Sequence, residues 1–162
     1  MNEFAAASEK ILKELRARNQ TLSVAESLTG GLLGGAITDI PGASDVFLGG
    51  VVAYTEQMKS ELLGIHPETL ARHGVVSREI AIEMAMGVAR LFRSDWSIST
   101  TGVAGPGPSA GVAAGTVWIA IGAPARAGLP YVEGLALVGS RQEVRLATIA
   151  RALEAFTRIL SE

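Results

Sequence analysis

The chain has 162 residues and no cysteine, so it is long enough for one domain with a buried core, and disulfides, zinc-thiolate sites and a cysteine nucleophile are excluded. Its 14 basic and 16 acidic residues give a net charge of -2, which argues against a nucleic-acid partner held by a broad basic surface. Hydrophobic residues make up 48% of the chain, which excludes a largely disordered protein.

The N-terminal segment, residues 2–18, places its apolar side chains at helical spacing and predicts an amphipathic helix. It contains no uninterrupted apolar run of the kind found in a signal peptide. No later apolar run is long and helical enough to span a bilayer. We therefore expect a cytoplasmic protein with no membrane partner.

A strand-to-helix turn follows this helix. Residues 21–24 alternate like a short strand, residues 32–40 have the apolar content of a helix, and between them lies the stretch Ala25-Glu26-Ser27-Leu28-Thr29-Gly30-Gly31. A serine in such a turn can be exposed above a sheet, paired glycines let a ligand approach the backbone, and free N–H groups at a helix start attract anions. In the simpler interpretation, Ser27 caps the helix and the glycines close the turn.

The middle of the chain predicts one strand and three helices. Residues 46–54 indicate a buried strand, and the pair Gly49-Gly50 inside it suggests a bulge or close packing. Thr55 is placed to cap a helix over residues 56–63, His66-Pro67 begins a second one, and Ser77 can cap a third. The apolar stripe of this third helix would consist of Ile80, Met84, Val88 and Leu91.

The C-terminal half predicts three strands and a long helix. The strands cover residues 96–101, 115–122 and 131–138, with a loop rich in glycine and proline after the first of them. Ser140-Arg141-Gln142-Glu143 forms a capping box for the last helix. Since strands and helices intermix, we predict the α/β class: a three-layer α/β/α sandwich with a mixed central sheet, in a single domain over residues 1–162.

Tyr54 and Lys59 are the second candidate cluster, because a strand end and the first turns of the next helix can point at one spot above the sheet. A lysine has a reference pKa of about 10.4, so a lysine base must be kept neutral by burial or neighbouring charge. Serine, lysine and tyrosine together can perform acyl transfer without histidine. Taken alone, Lys59 is more commonly a solvated helix residue, and Tyr54 a strand-end residue with its hydroxyl in water.

Two further groups could bind a ligand. The loop that contains Thr101, Gly102 and Gly105 can fold its backbone over a ligand, although a plain turn is the simpler interpretation. Arg141 in the first turn of the last helix, with Arg145 one turn later on the same side, suits a phosphate, although exposed arginines are commoner. The two histidines have no convincing ligand spacing, so we expect neither a metal nor a cofactor.

Several motifs occur together along the chain. They are Ala25-Glu26-Ser27-Leu28-Thr29-Gly30-Gly31, Asp39-Ile40-Pro41-Gly42-Ala43-Ser44, Phe47-Leu48-Gly49-Gly50-Val51-Val52-Ala53-Tyr54, Leu62-Leu63-Gly64, His73-Gly74-Val75-Val76-Ser77, Thr101-Gly102-Val103-Ala104-Gly105-Pro106 and Gly115-Thr116-Val117-Trp118. In this order they closely resemble the CinA C-terminal domain family over nearly the whole chain. No room remains for the extra N-terminal domain that many members carry, so the chain looks like the stand-alone form.

The resemblance implies nicotinamide-nucleotide amidohydrolase activity, in which nicotinamide mononucleotide and water give nicotinate mononucleotide and ammonia. Carried over by motif, Ser27 would be the nucleophile, Lys59 the general base and Tyr54 the residue that assists or orients the pair. Thr101 and the glycines after it would line the nucleotide site, and Arg141 would face the phosphate. Backbone N–H groups near Thr29, Gly30 and Gly31 would supply the oxyanion donors.

Two positions depart from the family pattern. Leu28 replaces a frequent cysteine, and Val112-Ala113 stands where the family usually has Lys-Pro. If that lysine contacts substrate in relatives, this chain would bind weakly, prefer another amide or lack activity. The alternatives are therefore an amidase with a different substrate and a non-catalytic nucleotide- or partner-binding module of the competence and damage-inducible kind. The glycine-rich segment 30–35 and the apolar composition also suggest a homo-oligomer.

Overall fold

Five strands and six α-helices lie along residues 2–128 and 130–162, which are the residues that the computed structural model describes. The helices are α1 (Ala5–Ala17), α2 (Leu32–Thr38), α3 (Glu56–Leu63), α4 (Pro67–His73), α5 (Arg78–Phe92) and α6 (Arg141–Ser161). The strands are β1 (Leu22–Glu26), β2 (Phe47–Val52), β3 (Trp96–Gly102), β4 (Thr116–Gly122) and β5 (Tyr131–Ala136). No helix in this part of the chain is long and apolar enough to cross a membrane.

The strands form one mixed sheet in the order β2-β1-β3-β4-β5. β1 pairs in parallel with β2 and with β3, while β4 and β5 continue the sheet as antiparallel strands. The carboxyl ends of the first three strands therefore lie on the same side of the sheet, and the loops that follow them meet there.

Helices cover both faces of the sheet, which confirms the predicted α/β/α sandwich. α1, α2 and α6 pack on one face around a core that includes Trp96 and Phe156. α3, α4 and α5 pack on the other face around a smaller core that includes Ile80 and Met84.

Side-chain caps fix the beginnings of four helices, and the sequence predicts three of these caps, those of α3, α5 and α6. Thr55 caps α3, His66 caps α4, and Ser77 caps α5, each with a side-chain atom that accepts a backbone N–H. At α6 both bonds of the predicted capping box form between Ser140 and Glu143.

Three predictions about the outer elements are wrong. β2 is an edge strand whose residues alternate between half-buried and exposed, because no strand of the described residues pairs with its outer side. Leu91 is 52% exposed, since at this end of α5 the residue that packs against the smaller core is Phe92. The helix predicted over residues 32–40 ends at Thr38, before the turn at Pro41.

Close packing explains Gly50 in β2. A Cβ there would lie 2.5 Å from a methyl group of Val24 and 2.6 Å from its carbonyl oxygen. The pairing of β1 with β2 also shifts by one residue at Leu48, just before Gly49, so both the predicted bulge and the predicted close packing are present in this strand.

Candidate active site

The strand order of the sheet has a topological switch point between β1 and β3, where successive connections run in opposite directions. From β1 it passes through α2 on one face to reach β2, and from β2 it returns through α3, α4 and α5 on the other face to reach β3. Open α/β sheets bind their ligands beyond the carboxyl ends of the strands at such a switch point. Ser27 follows β1 immediately, and Thr101 and Gly102 end β3.

A cavity of about 380 Å³ lies at this point. Its walls come from the turn after β1, the segment from Tyr54 to Lys59, the residues before α5, the loop after β3 and the start of α6. The residues that line it are Ser27, Leu28, Tyr54, Glu56, Lys59, Val75, Val76, Ser109, Arg141 and residues 101–108. Five separate segments of the sequence thus meet in one cavity.

Ser27 and Lys59 are in direct contact inside the cavity. Nζ of Lys59 lies 3.0 Å from Oγ of Ser27 and 3.0 Å from the carbonyl oxygen of Ala53. Both side chains are buried, with 7% of Ser27 and 2% of Lys59 exposed. When Lys59 is charged it donates to both oxygens. When it is neutral, the Ser27 hydroxyl can donate to the lone pair on Nζ, which is the arrangement that a serine nucleophile and its base require.

Burial brings the ionisation of Lys59 towards neutral pH. Desolvation lowers the pKa of the Lys59 ammonium group from 10.5 to about 8, while the nearby carboxylate of Glu56 acts in the opposite direction. With that pKa, about a tenth of the lysine is neutral at pH 7, against about one part in 3,000 for an ordinary lysine. Lys59 is therefore available as a base in a way that an exposed lysine is not.

Tyr54 and Arg141 meet across the mouth of the cavity. Nη2 of Arg141 donates to the Tyr54 hydroxyl at 2.9 Å, and Nη1 donates to the carbonyl oxygen of Gly105 at 2.8 Å. Among the residues that the structure describes, the Tyr54 hydroxyl contacts neither Ser27 nor Lys59. The expected role of Tyr54 in orienting that pair thus has no direct contact behind it, whereas Arg141 presents a guanidinium at the place expected for an anion.

Four residues predicted to bind substrate do not line the cavity. Thr29 is completely buried, and its hydroxyl pairs with that of Thr100 at 2.7 Å. Gly30 and Gly31 adopt φ angles of +58° and +99° and form the turn into α2. Arg145 donates Nε to the Leu28 carbonyl oxygen at 2.8 Å and Nη2 to that of Thr29 at 3.3 Å. These residues build the turn that carries Ser27, and none of them is among the residues that line the cavity.

The start of α2 is occupied by Glu26, which the sequence analysis left without a role. Only 2% of Glu26 is exposed, and its carboxylate accepts the N–H groups of Leu33 at 2.8 Å and Gly34 at 3.0 Å. The expectation that this helix start would attract a ligand anion is therefore wrong, because a side chain already provides the negative charge.

Thr101 and Gly102 line the cavity but also have structural contacts. The Thr101 hydroxyl donates to the carbonyl oxygen of Val75 at 2.7 Å and so ties the loop before α5 to β3. A Cβ at Gly102 would lie 2.7 Å from a methyl group of Val117 and 2.8 Å from the Thr116 carbonyl oxygen. Sequence reasoning assigned both positions to the ligand and missed that neighbouring elements also require them.

Glu56 is the charged cavity residue that the sequence analysis missed. It begins α3 one turn before Lys59, and that spacing of three residues was the signal that could have found it. Val112 and Ala113, which stand in place of the Lys-Pro of the family, are not among the lining residues. Within the described chain no group of three or more metal-ligating side chains comes together.

Comparison with known proteins identifies the family. Residues 4–160 match the family model described as the CinA C-terminal domain. The chain belongs to this family. A relative from Shigella flexneri named nicotinamide-nucleotide amidohydrolase PncC is 39% identical over 154 residues, which cover 94% of this chain and 92% of that protein.

Other relatives have less specific names and greater length. A putative competence-damage inducible protein of Halalkalibacterium halodurans is 48% identical over 87% of this chain but only 33% of its own length. A CinA-like protein of Prochlorococcus marinus is 41% identical over 91% of this chain and 35% of its own length. This CinA domain thus spans about a third of such relatives.

Solved structures of the family have the same fold. The competence damage-inducible protein A of Klebsiella pneumoniae superposes with a TM-score of 0.94 at 30% identity, covering 99% of both chains. The competence/damage inducible protein of Agrobacterium tumefaciens gives 0.92 at 36% identity, covering 100% of this chain and 98% of that one. The single-domain α/β architecture is therefore that of the CinA family.

Proposed function

We propose that this CinA domain hydrolyses the carboxamide of nicotinamide mononucleotide to nicotinate mononucleotide and ammonia, with Ser27 as nucleophile and Lys59 as general base. The observation that carries the proposal is the buried contact between Lys59 Nζ and Ser27 Oγ at 3.0 Å. The name of the Shigella flexneri relative, which this chain matches over nearly its whole length, supplies the substrate.

The first half of the reaction forms an ester on Ser27. Neutral Lys59 takes the hydroxyl proton as Oγ attacks the amide carbon, and a tetrahedral oxyanion forms. The carbon–nitrogen bond then breaks, and Lys59 returns the proton to the leaving nitrogen, which departs as ammonia. In the second half, water attacks the ester while Lys59 accepts its proton, and the Ser27 hydroxyl and a free carboxylic acid are regenerated.

Arg141 supplies the contact for the substrate phosphate in this proposal. Its guanidinium lies at the cavity mouth with two neutral acceptors, the Tyr54 hydroxyl and the Gly105 carbonyl oxygen. A phosphate is a stronger acceptor than either, and a planar guanidinium binds it through two hydrogen bonds. Tyr54 would then be released from Arg141 when the phosphate arrives.

A related amidase with another substrate is the second candidate. It is favoured by the loop over residues 102–115, which contains no charged residue and has Val112-Ala113 where relatives have Lys-Pro. A non-catalytic binding module is a weaker proposal than an amidase, because it does not explain why Lys59 is buried against Ser27. A homo-oligomer is compatible with either function and stays a proposal.

The experiment is an ammonia-release assay with identification of the acid product. We expect purified protein to convert nicotinamide mononucleotide to nicotinate mononucleotide, and to act far more slowly on nicotinamide riboside, which lacks the phosphate. If the protein hydrolyses only a different amide in a substrate panel, the proposed substrate is wrong and the proposed serine–lysine mechanism stands. If no amide in the panel releases ammonia, the enzymatic proposal is wrong.

A further inference from the structure

Arg145 makes contacts that phosphate binding does not explain. It is half-buried on α6, outside the cavity, and its guanidinium donates to the carbonyl oxygens of Leu28 at 2.8 Å and Thr29 at 3.3 Å. Among the described residues it forms no ion pair with a carboxylate. A cation of α6 is thus bound to the carbonyl groups of the two residues that directly follow Ser27 in the chain.

Together with two backbone hydrogen bonds, these contacts hold the three carbonyl groups of the turn that carries Ser27. The Ser27 carbonyl oxygen accepts the N–H of Gly30 at 3.1 Å, and the Thr29 carbonyl oxygen also accepts the N–H of Leu32 at 3.0 Å. Only Arg145 reaches the Leu28 carbonyl oxygen within the described part of the chain. Every carbonyl group from Ser27 to Thr29 therefore has a fixed direction.

Fixing a carbonyl group also fixes an N–H group, because the peptide is planar and, when trans, points the two in opposite directions. The Leu28 carbonyl faces Arg145, so the N–H of Thr29 points away from α6. The N–H groups of Leu28 and Thr29 have no acceptor among the residues described. The positive guanidinium bound to the Leu28 carbonyl oxygen polarises that peptide group and makes its N–H a stronger donor.

We propose that Arg145 is a positioning residue that holds the Ser27 turn by its carbonyl oxygens, so that the N–H groups beside the nucleophile are aligned for the oxyanion. This inference rests on the proposed role of Ser27 and replaces the expectation that Arg145 contacts the phosphate. A positioning role acts on the transition state, whereas a phosphate contact acts on substrate binding.

The test separates kcat from KM. With Arg145→Gln we expect kcat to fall about 100-fold while KM stays within about threefold, since misplacing a reacting group by 1 Å has an effect of that size. Arg145→Lys keeps the charge and can reach one carbonyl, so it should recover part of the loss. Arg151→Gln is the matched control, because Arg151 lies on the same helix but pairs with Glu133 and Glu154 at the surface. A raised KM with unchanged kcat in Arg145→Gln would overturn the proposal.

A substitution in the turn itself tests the same contact between Arg145 and the Ser27 turn. A Cβ at Gly30 would lie 3.1 Å from Nη2 of Arg145, so Gly30→Ala should displace the guanidinium and lower kcat. Gly30 has a φ of +58°, so the part of this loss that comes from backbone strain should remain in the double variant with Arg145→Gln, whereas the part that acts through the guanidinium should disappear. Additive losses would show that Gly30 and Arg145 act independently and would contradict the proposal.

Labelling of Ser27 by a fluorophosphonate, followed by intact mass, makes the test independent of the natural substrate. We expect Arg145→Gln to slow labelling by a factor similar to its loss in kcat, with circular dichroism unchanged. Wild-type labelling without ammonia release from nicotinamide mononucleotide would refute the proposed substrate and leave this inference in place. Equal labelling rates in wild type and Arg145→Gln would refute the inference alone.

Discussion

The pH dependence of kcat/KM follows from the environment of Lys59. Burial lowers the pKa of its ammonium group to about 8, and the proposed mechanism requires this group to be neutral in the free enzyme. We therefore expect kcat/KM to rise with pH, to reach half of its maximum near pH 8, and to be constant above about pH 9. Between pH 7 and the plateau the gain should be about tenfold.

The window from pH 9 to pH 10 is the decisive one. A lysine with its ordinary pKa of 10.5 would still gain about eightfold in neutral fraction across that unit of pH, whereas Lys59 should gain almost nothing. The assay is ammonia release at substrate concentrations far below KM, with enzyme returned to pH 7.5 afterwards to show that no activity was lost. A rate that continues to climb through pH 10, or one that is flat from pH 6, would refute the reasoning.

The same pKa has a consequence for stability that does not depend on catalysis. The pKa of Lys59 in the folded protein lies below its unfolded value of 10.5, so between pH 8 and 10.5 the unfolded chain binds the additional proton. The free energy of unfolding should therefore rise with pH in this window, by about 3 kcal/mol for the full shift. Urea denaturation of wild type and Lys59→Met isolates this contribution as a difference, and equal pH slopes in the two proteins would contradict it.

Three substitutions test the neighbours of this pair. Glu56→Gln removes the carboxylate that raises the pKa of Lys59, so the midpoint of the pH profile should move to lower pH, and a shift upwards would count against the assignment. Arg141→Gln should raise KM by about 10- to 100-fold, the equivalent of one charge-assisted hydrogen bond to phosphate, and an unchanged KM would exclude the contact. Glu26→Gln loses one of the two acceptors for the start of α2 and should lower the free energy of unfolding by about 1–3 kcal/mol in urea denaturation. An unchanged value would show that the buried contact has no net effect.

The fold could be predicted largely because local signals agree with the tertiary structure. Nearby residues predict the capping box at Ser140, the caps at Thr55 and Ser77 and the intermixed order of strands and helices. The edge position of β2 could not be predicted, since an apolar strand has the same composition whether one or both sides are paired.

The site was predictable where a short spacing decides the geometry. Tyr54 and Lys59 are close in sequence, so a strand end and a helix start bring both to the cavity. The contact of Lys59 with Ser27 spans 32 residues and was expected only from the family resemblance. The helical period places Arg145 beside Arg141, but it does not reveal that the carbonyl groups after Ser27 would be its nearest acceptors.

The central claim is that Ser27 is the nucleophile of an amidohydrolase. Its most direct test is the rate of ammonia release by Ser27→Ala relative to wild type, with Ser60→Ala on α3 as control. We expect Ser27→Ala to lose at least about 10⁴-fold in kcat, as for other serine nucleophiles, while keeping its circular dichroism and thermal unfolding. Release by Ser27→Ala within tenfold of the wild-type rate would contradict the account.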